Sequence, residues 1–305
     1  MSSTPATAAR PSLAGAYVLL AALSLFWGLN WPVMKVVLGE IPVLPFRALC
    51  LIASGPLLLA IAALRGDALA LKRHEIVPLL LAALLNVTLW HLFSAYGVSL
   101  MAAGRASIIA YTMPAWAMLL GALVLGEPFG ARGLVALVLG MGGVGALMLP
   151  DLARIATAPL GAMAMLAAAI GWAGGTVVMK RFRWSCSVAA LTGWQTTLGG
   201  LPIVAAALVI GPFPGLEHAD GAGLAALAYV ILMGMVFSQW AWFSVLRRLP
   251  VAVASIGSLA VPMIGVLSSA LLLHEPVGPP ELAALLLVIA ALVTLLLRPA
   301  AASRL

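Results

Sequence analysis

Apolar residues fall into ten long runs along the chain, at 14–36, 43–64, 75–98, 105–125, 131–150, 159–180, 188–210, 222–246, 251–273 and 281–298. Each is closed by charge, proline or glycine. Each has the roughly 20 residues that a helix rising 1.5 Å per residue needs to cross a bilayer core. The pattern predicts an all-α integral membrane protein of ten transmembrane helices. The connections at 65–74 and 211–221 are too short to hold a domain of their own. Residues 1–13, rich in Ser, Thr, Ala and Pro, are expected to be a disordered tail, and 299–305 a second short one. The first run is too long for a signal-peptide core. It passes into Trp27, Asn30 and Lys35 rather than a small-residue cleavage site, so it is expected to stay as the first helix.

The runs are not independent of one another. Trp27, Met34 and Lys35 coincide with Trp172, Met179 and Lys180 at an offset of 145. Ala106-Ser107-Ile108, Pro114 and Glu127-Pro128 coincide with Ala254-Ser255-Ile256, Pro262 and Glu275-Pro276 at an offset of 148, and Arg47 falls on Gln195 at the same offset. Matches in order at nearly constant spacing predict two five-helix repeats, 14–152 and 153–298. Five is odd, so the second repeat is expected to cross the membrane upside down. Inverted repeats of this kind are the architecture of secondary transporters.

Several of these residues also carry a family resemblance. The Trp27-Gly28-Leu29-Asn30 stretch, Arg47 near the start of the second run, and the passage from Pro114 to Gly126-Glu127-Pro128, repeated at Pro262 and Glu275-Pro276, are its marks. They resemble the drug/metabolite transporter superfamily, EamA type, over essentially all of the chain after residue 13. Within it, the sequence is most similar to bacterial exporters of aromatic and other neutral amino acids. The resemblance implies a central cavity formed by the first, third, fourth, sixth, eighth and ninth helices, with the fifth and tenth peripheral.

Charge orients the predicted spans. Ten spans put both termini on one side, and that side collects twelve of the sixteen Lys and Arg residues. Lys35, Arg47, Arg105 and Arg154 fall on the other, together with Glu40, Asp151, Glu217, Asp220, Glu275 and Glu281. The positive-inside rule then makes both termini cytoplasmic, and the resemblance to bacterial exporters implies the inner membrane of a bacterium. The net charge of +7 is explained by this topology and by anionic headgroups, and no nucleic-acid partner is expected. A chain 64% hydrophobic and 8% charged also lacks the polar surface of a soluble protein, so its partner is the lipid bilayer. Two cysteines exclude a disulfide scaffold and Cys-based metal centres. No metal or other cofactor is expected.

Polar and aromatic residues inside the runs are the candidates for substrate contact, because such groups in a bilayer face a cavity or one another. They are Trp27 and Asn30 in the first run; Asn86, Trp90 and Ser94 as an i, i+4, i+8 stripe in the third, with His91 beside it; and Tyr111 with Ser107 in the fourth. Trp172 and Thr176 follow in the sixth, Ser238, Gln239 and Trp242 in the eighth, and Ser255 and Ser258 in the ninth. Aromatic walls with amide and hydroxyl groups suit a small, partly apolar, net-neutral molecule such as a large amino acid. Pro114 and Pro262 are expected to kink their helices near mid-span and act as hinges. Arg47 is expected near the outer end of the second helix, its guanidinium snorkelling to the headgroups. Lys35 and Lys180 are expected to anchor helix ends, and Glu127 and Glu275 to terminate helices or join the repeats.

None of the nine carboxylates lies at mid-span. Facilitated export of neutral or zwitterionic metabolites follows, with proton antiport through His91 as the alternative. The spans carry no cluster of bases for a phosphate-bearing substrate. No Walker loop, HExxH or Gly-x-Ser-x-Gly is present, so an enzyme is not expected; an intramembrane hydrolase built from the serines and His91 is the remaining second alternative.

Overall fold

The computed structural model describes residues 13–126, 130–148, 158–210, 215–246 and 260–296. Among them every regular element is helical. The helices are α1 (Leu13–Glu40), α2 (Val43–Leu64), α3 (Arg73–Leu100), α4 (Ala103–Leu125), α5 (Ala131–Met148), α6 (Ala158–Arg181), α7 (Val188–Ile210), α8 (221–246), α9 (Ala260–Leu273) and α10 (Pro279–Leu296). Six helical stretches are long and apolar enough to cross a membrane: Ala14–Glu40, Val43–Leu64, Arg73–Leu100, Ala103–Leu125, Leu160–Arg181 and Gly221–Trp242. The apolar stretches Ala131–Leu147, Ala260–Leu273 and Pro279–Thr294 are shorter. Residues 251–259, expected as the start of the ninth span, lie outside the described residues, as does Glu127.

Two helices depart from α geometry at their centres. In α3 the segment Leu84–Leu89, and in α8 the segment Val230–Phe237, are π-helical. A π turn admits extra residues and turns the following side chains to new directions. In α8 the wide turn ends where the Ser238 hydroxyl, wholly buried, donates to the Met233 carbonyl five residues back at 2.5 Å.

The expected mid-span kink at Pro114 takes another form. α4 is interrupted at Tyr111 and Thr112, and Pro114 stands in the first turn of the segment Met113–Leu125. A proline there costs no helical hydrogen bond, because the first-turn N–H groups have no intrahelical partner. The Thr112 hydroxyl donates to the Ile109 carbonyl at 2.7 Å and closes the break. Pro262 lies in the third position of α9 and is buried.

The packing sets α1 against α8 and α9, and α6 against α3 and α4; α2 lies on α7, and α5 on α10. Small residues let α2 and α7 approach closely. A Cβ on Gly193 would lie 3.0 Å from the Leu59 backbone nitrogen, and one on Gly200 would lie 2.9 Å from Leu51 Cβ. Such close approach is the means by which helices associate where lipid competes for apolar contact. The core runs through Met34, Phe46, Leu51, Ile108, Ile109 and Met165, all of them buried.

Candidate functional site

Two aromatic pairs join α1 to α8 and α3 to α6. Trp27 of α1 and Trp242 of α8 have ring centroids 5.8 Å apart, tilted by 43°. Trp90 of α3 and Trp172 of α6 stand 5.1 Å apart at 57°. Offset, tilted pairs of this kind place ring edges against the electron-rich faces. Asn30 stands one turn from Trp27 and Asn86 one turn from Trp90, and each of these asparagines meets a glycine. A Cβ on Gly175 of α6 would overlap the Asn86 amide, and one on Gly234 of α8 would overlap Asn30 Oδ1. Both Oδ1 atoms are buried without a hydrogen-bond partner. Asn86 also donates from Nδ2 to Gln195 Oε1 at 3.2 Å.

Arg47 is not at the lipid surface. It is 3% exposed, and its guanidinium is enclosed where α1, α2 and α3 meet. Nε donates to the His91 carbonyl at 2.9 Å, and Nη2 reaches Ser94 Oγ at 3.0 Å and Met34 Sδ at 2.8 Å. The Phe46 ring lies 4.8 Å from its central carbon. The snorkelling expected from sequence fails because neighbouring helices close over the side chain one turn into α2. Gln195 of α7 is buried in the same manner, with Nε2 on Met179 Sδ at 3.1 Å. The stripe Asn86, Trp90, Ser94 therefore serves two neighbours: Asn86 and Trp90 meet α6, and Ser94 meets α2.

The other expected contacts are dispersed. His91 is half-buried and its Nδ1 has no partner. Tyr111 is buried at the break in α4, and Gln239 is half-buried just after the π segment of α8. The Ser107 hydroxyl donates to the Gly104 carbonyl at 2.7 Å and faces Gly265 of α9. Thr176 is exposed and bonds to the Trp172 carbonyl of its own helix. Ser255 and Ser258 lie outside the described residues. Sequence reasoning passed over Gly175 and Gly234 as site neighbours, since a glycine gives no sign of what packs on it.

Charged groups close the helix ends. Lys35 Nζ donates to the carbonyls of Val98 at 2.5 Å, Ser99 at 3.2 Å and Met101 at 2.8 Å, at the C-terminus of α3. It caps a helix rather than anchoring one to headgroups. The Glu275 carboxylate accepts from the Ala103 and Gly104 N–H groups at 2.8 and 3.0 Å, at the N-terminus of α4. A cation on the carbonyl end and an anion on the amide end both match the helix dipoles. Glu275 thus joins α4 to the α9–α10 connection, as expected of it. Arg105 and Glu281 form an ion pair at 2.7 Å. Asp220 caps α8, accepting from Ala222 and Gly223 N–H at 2.7 and 2.9 Å. These bonds hold its carboxyl below the ordinary range. Its own N–H donates to Glu40 at 3.0 Å.

At the opposite ends of α3 and α6, Glu75 accepts from the Ser185 N–H and hydroxyl, each at 2.6 Å. The arrangement places fixed charge at helix ends, and aromatic rings, amides and one buried guanidinium between them.

Known proteins are similar to this chain along its length. The model of the EamA-like transporter family matches residues 14–149 and 159–297. The uncharacterized transporter YvbV of Bacillus subtilis is 27% identical over 273 residues, covering 89% of this chain and 88% of its own. A protein of Escherichia coli described as "Probable amino-acid metabolite efflux pump" is 28% identical over 269 residues, with 85% and 87% covered. A solved crystal structure has the same fold, with a TM-score of 0.64 at 17% identity over 93% of this chain and 97% of that one.

Proposed function

We propose, for a chain that belongs to the EamA-like transporter family, that it is a secondary transporter exporting small neutral or zwitterionic metabolites, aromatic and other neutral amino acids foremost, down their gradients by alternating access. It is a multi-pass membrane protein and not an enzyme. The finer architecture in this reading is ten spans in two inverted five-helix repeats, 14–152 and 153–298, with both termini cytoplasmic in the bacterial inner membrane.

The observation that carries the reading is an exchange of partners between the two halves. Asn30 and Gly175 are related by the offset of 145, and Asn86 and Gly234 by 148; each asparagine packs on the glycine related to the other. Arg47 on Met34 and Gln195 on Met179 are related in the same way. Glu40 beside Gly223 corresponds to Ser185 on Glu75. The two π segments fall at matching places in α3 and α8. Packing of α1 on α8 and α9 corresponds to that of α6 on α3 and α4. Two halves that make equivalent contacts with each other can exchange conformations, and the access path then changes sides.

Cargo follows from chemistry at the centre. Trp27, Trp242, Trp90 and Trp172 offer apolar walls. Asn30, Asn86, His91, Tyr111, Gln239 and Ser255 offer uncharged polar groups, and Pro114 and Pro262 stand at the positions taken as hinges. The nine carboxylates fall toward span ends in the sequence, which favours a facilitator over a proton-coupled carrier. The relative described as an amino-acid metabolite efflux pump supports the same class of cargo. A competition panel tests it: labelled phenylalanine flux through the reconstituted protein, challenged with neutral amino acids, amines, organic acids and sugar phosphates. Inhibition by the neutral amino acids alone is expected. Inhibition by sugar phosphates but not by amino acids contradicts the reading.

A further inference from the structure

Arg47 carries a charge that its fold position does not require. Its guanidinium is enclosed by α1, α2 and α3, yet its hydrogen bonds go to a carbonyl, a hydroxyl and a thioether. No carboxylate pairs with it among the described residues. Burying an ion without a counter-ion is costly, and replacing it by a neutral residue is ordinarily the more stable solution. The second half of the chain uses that solution. At the corresponding place it has Gln195, which touches Met179 as Arg47 touches Met34. The scaffold therefore needs a hydrogen-bond donor at this place, and the neutral amide supplies it.

The surroundings indicate what the charge is for. Met34 shares a face of α1 with Asn30 and Trp27, four and seven residues earlier. At 1.5 Å per residue, Trp27 is about 10 Å from Met34 along the helix axis. Across from it, the His91 whose carbonyl takes the Nε bond carries an orphaned Nδ1 and directly follows Trp90. Asn30 presents a buried acceptor, Oδ1, with no partner.

We infer that Arg47 is the carboxylate-binding group of the transporter: its guanidinium takes the carboxylate of a zwitterionic substrate as counter-ion, while Asn30 Oδ1 accepts from the ammonium and the tryptophan pairs hold the side chain. This deepens the amino-acid reading above and rests on it. It makes the protein select for a carboxylate, so that amino acids bind more tightly than the corresponding amines and amino alcohols. A guanidinium meets a carboxylate with two parallel N–H···O bonds, which fixes orientation as well as charge.

The test compares binding of phenylalanine and phenylalaninol to the purified full-length protein by tryptophan fluorescence, for wild type, Arg47→Gln and Arg47→Lys. Wild type is expected to favour phenylalanine by about 10- to 100-fold, the effect of a charge-assisted hydrogen bond. Arg47→Gln is expected to lose that preference with phenylalaninol affinity unchanged, and Arg47→Lys to keep part of it. Monodisperse elution of each variant checks the fold, which Gln195 at the related position favours. A wild-type protein that binds both ligands equally overturns the inference whatever the variants do. So does an Arg47→Gln protein that keeps the preference, or that weakens both ligands equally, since a purely structural arginine would do that. A wild-type protein that binds neither ligand overturns the amino-acid reading, and this inference with it.

Discussion

The amide of Asn86 occupies the space where a side chain on Gly175 would stand, so α3 and α6 meet there with no Cβ between them. The contact falls in the π segment of α3, one turn before Trp90 meets Trp172. A methyl group at position 175 has to displace Asn86 and break its 3.2 Å bond to Gln195. Gly175→Ala is therefore expected to lower stability by about 1–3 kcal/mol, the usual range for overpacking. Gly174→Ala is the control, because its Cβ would meet only Leu85 and Leu120 at ordinary contact distance. Thermal unfolding of the two purified variants checks the contrast; equal melting points would mean that the close approach is not strained.

The tryptophan pairs separate a cavity wall from packing. Trp27→Ala and Trp172→Ala are each expected to reduce amino-acid flux by about tenfold, corresponding to about 1.4 kcal/mol of lost contact with the substrate ring. Elution as a folded species must be retained. Wild-type flux in both variants would return the rings to a space-filling role between Gly- and Ala-lined helices.

Much of this could be read in the sequence, for physical reasons. A span of about 20 apolar residues has one stable form in lipid, so the predicted runs coincide closely with helices wherever the chain is described, and six of those helices are long and apolar enough to cross a membrane. The partner of each side chain was not legible. Arg47 was expected at the headgroups because its distance from the helix end is local information, whereas its enclosure depends on α1 and α3. Lys35 was expected to anchor for the same reason, and instead caps α3. The π segments left no mark in the hydrophobic pattern, because Leu84–Leu89 and Val230–Phe237 are apolar on most sides. Pro114 gave a true signal of a break but not its place, since proline also suits the first turn of a new helical segment. The offsets of 145 and 148 were visible at once, but the crossing of partners between halves needed coordinates.

Lys35 satisfies three carbonyls at the end of α3. Lys35→Met keeps the length of the side chain and removes all three bonds. It is expected to destabilise the protein by about 1.5–3 kcal/mol, the range for hydrogen bonds to a charged donor. A fall in melting temperature beyond that of an exposed control such as Lys72→Met checks it. An equal fall would show that water replaces the ammonium at no cost.

His91 decides the energy source. For a facilitator, an imposed pH gradient of either sign drives no accumulation in the wild-type protein, and His91→Ala, which removes one polar contact, lowers downhill flux without abolishing it. Accumulation driven by the gradient and abolished by His91→Ala would instead establish proton antiport.

The most direct measurement is efflux of labelled phenylalanine from proteoliposomes containing the purified protein and no ion gradient. The predicted result is saturable efflux that stops when inside and outside concentrations are equal, and that unlabelled neutral amino acids inhibit. Efflux no faster than from protein-free liposomes, for phenylalanine and for every other neutral amino acid tried, would contradict the assignment of this chain as an amino-acid exporter.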